Sequence, residues 1–222
     1  MTPQTVNAVN LPLQNALNFP AAILEPPFFD AKAPEVVNYG AIGSIIGHEV
    51  SHTFDSEGAA FDDKGRLRNW WTAADFQHFN AATAKLAEQY DQYHPFPDLS
   101  INGKQTLPEN IADLGGVLAA YDAYRASLNG KQAPEQEGFS GDQQYFIAYA
   151  QSRHSKMRPE ELRRRVMTDE HSPAEYRTDI VRNADAWYSS FPVHEGQKLY
   201  LAPNERVRSS RLRTARSTGA TE

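Results

Sequence analysis

The pentapeptide His48-Glu49-Val50-Ser51-His52 constrains this chain more than any other stretch of it. Histidines four apart share one face of a helix, because four residues span about 1.1 turns. Both imidazoles can then reach one metal ion. Glu49 falls beside that ion, where a carboxylate can take a proton from a water on the metal. The motif alone is not proof. A chance match is expected in on the order of one chain in a hundred of this size, so its surroundings decide.

Those surroundings are apolar. Val36 to Gly47 leads into the motif, and Ile42, Ile45, Ile46 and Val50 recur at helical spacing. The histidine pair therefore ends a helix that reads as buried, over roughly 36–55. Gly40, Gly43 and Gly47 make that helix intrinsically poor, which points to close packing against a neighbour.

Composition narrows the chemistry. The 222 residues contain no cysteine, which removes disulfides, thiolate nucleophiles and cysteine zinc sites. Any zinc site must use His, Asp or Glu. The net charge of -6 argues against a nucleic-acid partner. No apolar run approaches the length of a membrane span, and no signal peptide is readable after Met1.

Along the chain the reading is mainly α with a little β at the front. Val6–Asn10 and Phe19–Leu24 read as short strands, the second halted by Pro26-Pro27. Asp62 to Gly65 has turn chemistry, and Thr72 with Asp75 marks the start of a helix reaching Tyr93. Pro108 suits the first position of a helix over 108–128, closed by Asn129-Gly130. Further helices are expected at 142–155, 159–167 and 173–188. The last carries an apparent capping box, Ser172-Pro173-Ala174-Glu175. Trp70-Trp71 reads as core. The Arg- and Ser-rich stretch from 204 reads as disordered.

A catalytic zinc needs a third protein ligand and an open position. Glu109-Asn110-Ile111-Ala112-Asp113 places two carboxylates four apart on one helix face. One can bind the metal while the other accepts the free N–H of a ligating histidine. The competing reading is a solvated acidic face at a helix N-terminus. On spacing alone both stand, although Leu114, Val117 and Leu118 make the helix core-like. Asp55 is open in the same way: an acceptor behind a histidine or an ordinary helix-end residue, with the ordinary reading slightly favoured. His171 by itself reads as a loop histidine and Arg177 as a surface arginine. His78, His94, His154 and His194 have no spacing partners.

Together these segments resemble the neprilysin / endothelin-converting-enzyme family of zinc endopeptidases. The zinc motif followed by Glu109 to Asp113 carries the likeness. Asn7-Ala8 resembles the family's substrate-binding strand, Phe19 to Phe29 the segment before its zinc helix, and Thr168 to Pro173 with Arg177 its C-terminal active-site segment. The match runs from about residue 5 to about 208. It implies a thermolysin-like (gluzincin) catalytic fold over 1–208, mainly helical with a small sheet at its N-terminal side; the Arg- and Ser-rich composition predicts a disordered tail over 209–222.

The resemblance also implies roles. One zinc ion would be held by His48, His52 and Glu109. Glu49 would be the general base on its water, and Asp113 would sit behind a zinc histidine, with the family also assigning that position a proton-donor role. His171 would stabilise the oxyanion of the tetrahedral intermediate. Arg177, Asn7 and the Ala8 backbone would bind a small peptide substrate. Family members are much longer, with a helical N-terminal lobe over the active site and often a signal or anchor. The chain resembles the catalytic part alone, with that lobe missing or supplied by a separate chain. Full-length relatives would be periplasmic, secreted or on the cell surface; the compartment of this chain stays open. The rival expectation is a zinc-binding fragment that is non-catalytic or depends on a partner. A zinc hydrolase acting on other bonds is disfavoured by Asn7-Ala8.

Overall fold

A computed structural model describes residues 1–208; the expected tail at 209–222 lies outside them. The chain opens on an antiparallel hairpin of β1 (Val9–Leu11) and β2 (Ala16–Asn18), with Val9 opposite Asn18. A 3-10 turn at Pro12–Gln14 joins the strands. Asn15 closes it at φ 45°, a left-handed conformation that asparagine tolerates. The first strand thus begins later than expected, leaving Asn7 and Ala8 just ahead of the hairpin. Phe19–Leu24 is not a strand. Pro20, which has no N–H to give a ladder, opens a 3-10 turn at Ala21–Ile23. That turn buries Ile23 with Ala8, Ile42 and Ile45, so the apolar residues cover the histidine-bearing helix without pairing in a sheet.

The helical rod bearing the histidines runs as α1 (Glu35–Asn38), a π-helical turn (Tyr39–Gly43), α2 (Ser44–Ser51) and a 3-10 turn (His52–Phe54). It lies against α4 (Leu107–Ser127). Contact there is backbone to backbone. A Cβ on Gly116 would stand 2.5 Å from the Ser44 carbonyl oxygen and 2.7 Å from the His48 nitrogen. Glycine at 47 and 116 is what lets the two helices meet closely enough for their side chains to share one centre.

Around this pair, α3 (Ala73–Asp91) is capped by Thr72, whose hydroxyl accepts from the Asp75 N–H at 3.1 Å. Helix α5 (Gly141–Ser152) packs on the π turn, and α6 (Pro159–Thr168) follows. The core is aromatic as much as aliphatic: Leu86, Tyr90, Val117, Tyr145, Tyr149 and Ile180 are buried together.

The expected helix over 173–188 is broken into α7 (Ala174–Thr178), a 3-10 segment (Asp179–Asn183) and α8 (Asp185–Ser190). Tertiary contacts override local preference here. Asp179, Ile180, Val181 and Asn183 are all buried, and Asn183 exchanges side-chain hydrogen bonds with Gln89. The capping box at Ser172 does not form either. Pro173 is the N-cap, and the Ser172 hydroxyl donates to Asn110 Oδ1 at 2.9 Å. The box that does form is Ser140 with Gln143, at the start of α5. Two further expectations fail. Trp70 is 40% exposed, lying at the surface edge-on to Phe54 and tilted against Trp71 rather than in the core. Residues 204–208 are not disordered: Val207 is buried, and its N–H donates to Asn183 Oδ1.

Candidate metal centre and active site

Helix α2 and the 3-10 turn after it place His48 and His52 with ring centroids 4.6 Å apart and planes nearly perpendicular. Each ring is held from behind by a carboxylate. His48 Nδ1 lies 2.9 Å from Asp113 Oδ1, and His52 Nδ1 lies 2.6 Å from Asp55 Oδ2. Both Nδ1–H groups donate to those oxygens, which fixes the tautomer and leaves a lone pair on each Nε2. The two Nε2 atoms then face each other at 3.0 Å.

Glu109, from the first turn of α4, completes the convergence. Its Oε2 is 3.2 Å from His48 Nε2, and its Oε1 is 3.5 Å from His52 Nε2. Among the described residues, buried Glu109 Oε2 enters no hydrogen bond. Two imidazole lone pairs and an orphaned carboxylate oxygen repel one another unless a cation or protons lie between them. The nitrogen and oxygen donors suit zinc. The residues therefore fit the ion, and His48, His52 and Glu109 can present ligand atoms within 4.8 Å of one another.

Charge within the cluster follows from this crowding. Burial pushes the Glu109 carboxyl up, but the His171 and His48 rings that face it outweigh this and hold the group well below the usual range. Burial disfavours charge on His48 and His52, yet Asp113 and Glu109 raise the first and Asp55 the second. The carboxylates thus draw protons onto the same imidazoles that a metal would occupy, and protons and metal compete there.

Glu49 is buried beside the pair, with its backbone carbonyl accepting from Asn10 Nδ2 at 2.7 Å. Burial raises its carboxyl above the ordinary value, which suits a group that must pick up and release a proton. Asp113 lies deeper. It is 1% exposed, receives Arg177 through Nε at 2.7 Å and Nη2 at 2.8 Å, and receives Arg153 at 3.1 Å. Burial pushes its carboxyl up, but Arg177 and Arg153 overcome that and keep it well below its usual range. Arg177 is therefore no free surface arginine, and Asp113 stands behind His48 rather than on the cleft wall.

His171 sits just before α7. Asp169 Oδ1 receives both its backbone N–H at 2.9 Å and its Nδ1 at 3.0 Å, and Nε2 points to Glu109 Oε2 at 3.0 Å. A cleft of about 900 Å³ brings Asn7, Ala8, Glu49, His171 and Arg177 together with His48, His52 and Glu109. Among the described residues, and beyond the hairpin, the main chain of Asn7 and Ala8 makes no hydrogen bond to other backbone. His154, read as ordinary, lies on the cleft rim.

Some residues here carried little sequence signal. Asp55 was slightly favoured as ordinary, yet it leaves the helix in an extended conformation (ψ −172°) that turns its carboxylate back on His52. Its other oxygen accepts the Glu57 and Gly58 N–H groups at 2.7 Å each. Arg153 has no motif at all; only the docking of α5 brings it to Asp113. Asn10 had one available clue, its place next to Asn7-Ala8.

The sequence matches the model of peptidase family M13 over residues 7–207. Neprilysin-1 of Caenorhabditis elegans is 44% identical over 201 residues, covering 87% of this chain and 27% of the relative. Neutral endopeptidase of Lactobacillus helveticus is 40% identical, covering 90% of this chain and 29% of the relative. The inhibitor complex of Mycobacterium tuberculosis zinc metalloprotease Zmp1 superposes with a TM-score of 0.92 at 48% identity, over 94% of this chain and 33% of that one. The chain thus spans about a quarter to a third of the length of these relatives.

Proposed function

The chain belongs to peptidase family M13, and we propose that it is the zinc-dependent, peptide-cleaving part of a metalloendopeptidase acting on small peptides. The mainly helical gluzincin-type fold agrees with that of the zinc metalloproteases it superposes on. The observation that carries the function is the meeting of the His48 and His52 lone pairs with Glu109 beside the buried Glu49.

His48, His52 and Glu109 hold one zinc ion in this reading. When bound, zinc supplies a Lewis acid that polarises a carbonyl and acidifies a water. Glu49 takes the proton as the water oxygen adds to the peptide carbon, then delivers it to the departing amine nitrogen as the C–N bond breaks. As an imidazolium, His171 donates a hydrogen bond from Nε2 to the carbonyl oxygen as negative charge develops, while Asp169 accepts from Nδ1 and holds the ring. Asp113 orients His48 and anchors Arg177, whose guanidinium borders the cleft and serves the substrate's carbonyl side. Asn7 and the free main chain of Ala8 receive the peptide as an added strand.

Glu49→Gln tests the mechanism. It is expected to leave stoichiometric zinc in place and to lower cleavage of a short fluorogenic peptide by about a thousandfold or more. Unchanged cleavage would sink the assignment of the base. The same assay separates the second reading, a metal-binding piece that works only with a further polypeptide. Full-rate cleavage by this chain alone would rule that reading out.

A further inference from the structure

His171 repeats the arrangement of the two zinc-motif histidines without belonging to their set. Its Nδ1 is tied to Asp169 at 3.0 Å, as His48 is tied to Asp113 and His52 to Asp55. Its Nε2 is turned to the same carboxylate, 3.0 Å from Glu109 Oε2. The Glu109 side chain is 9% exposed, and that oxygen has no hydrogen-bond partner. Glu170, the residue before His171, is exposed on the cleft rim, and it completes a second group with Glu109 and His171 whose ligand atoms lie within 4.8 Å of one another.

We propose that Glu109, Glu170 and His171 form a second, weaker divalent-cation site, filled by a second zinc ion when the metal is in excess, and that filling it stops peptide cleavage. The inference rests on the zinc centre proposed above. Glu109, whose Oε1 faces His52 and whose Oε2 faces His171, would then be shared by two cations. The second site is weaker for three reasons. Glu170 is exposed, the His171 side chain is 35% exposed, and the charge of Glu109 is shared. It is inhibitory because the cation takes the His171 Nε2 that otherwise faces the substrate's carbonyl oxygen. It also occupies the cleft where the peptide lies.

The test is calorimetric titration of the metal-stripped chain with zinc chloride, alongside cleavage of a short fluorogenic peptide across the same zinc range. Two binding events are expected, and the rate should peak near one equivalent. As the weaker event saturates, it should fall by roughly a hundredfold, the scale of losing one oxyanion donor. Glu170→Gln should keep the tight event and the rate at one equivalent while losing the weak event and the inhibition. Glu49→Gln, which removes cleavage, should still bind two ions. A single event in the unaltered chain overturns the proposal, as does a weak event that survives Glu170→Gln unchanged. Loss of the tight event instead strikes at the zinc centre itself, so the two failures are told apart.

Discussion

Behind each imidazole of the centre stands a carboxylate, and those carboxylates decide which nitrogen is free. Asp113 came from its spacing to Glu109, four residues along one helix face. Asp55 did not, because its reach back to His52 depends on one extended residue where the helix ends. Asp55→Asn keeps an oxygen for the Glu57 and Gly58 N–H groups but can set an amide donor against His52 Nδ1. It is expected to weaken zinc binding by about 10- to 100-fold with little change in thermal midpoint. Competition with a chromophoric chelator measures this; unaltered affinity would mean His52 needs no such support. Arg153 was illegible for a different reason. Nothing local marks an arginine at a helix end as the partner of an aspartate forty positions earlier.

Between elements, the crossing of α2 and α4 sets the spacing of the ligands. His48 and His52 ride on one helical rod and Glu109 on the other, so the centre exists only at the distance the glycines permit. The glycines before the zinc motif signalled close packing, and Gly47 against Gly116 is that contact. In Gly116→Ala the new methyl meets the backbone of Ser44 and His48, which cannot swing aside as a side chain would. Destabilisation of roughly 1–3 kcal/mol is expected, with weaker zinc binding in the same variant. Denaturant unfolding and metal titration check both; a variant as stable and as tight as the parent would remove this account of the crossing. The segment 173–188 shows the opposite case. Its capping signal was read, but Ser172 serves Asn110 across 62 positions, joining the His171 loop to the helix that carries Glu109.

For the molecule as a whole, burial sets the pH response. Asp179, packed at the break after α7, is pushed up from 3.8 to about 6 by burial, with Glu175 adding to the rise and Lys198 and Arg182 opposing it. Between those values the folded chain keeps a proton that the unfolded chain has released. Stability from this group is therefore lost as pH rises through the window. Asp179→Asn should flatten that fall, gaining on the order of 1–2 kcal/mol over the parent at pH 7 but little at pH 4. Urea midpoints at the two pH values measure the difference, and parallel curves would refute it. The sequence by itself determined the helical class, the zinc motif, the Glu109 helix and the family resemblance. All of these are periodicities or short motifs that local geometry enforces. Only the tertiary structure decided that Phe19–Leu24 turns instead of pairing, that the last helix breaks, and that Asp55 and Arg153 back the centre. Those outcomes depend on which distant groups are available to bury or to bond, and no stretch of sequence carries that by itself.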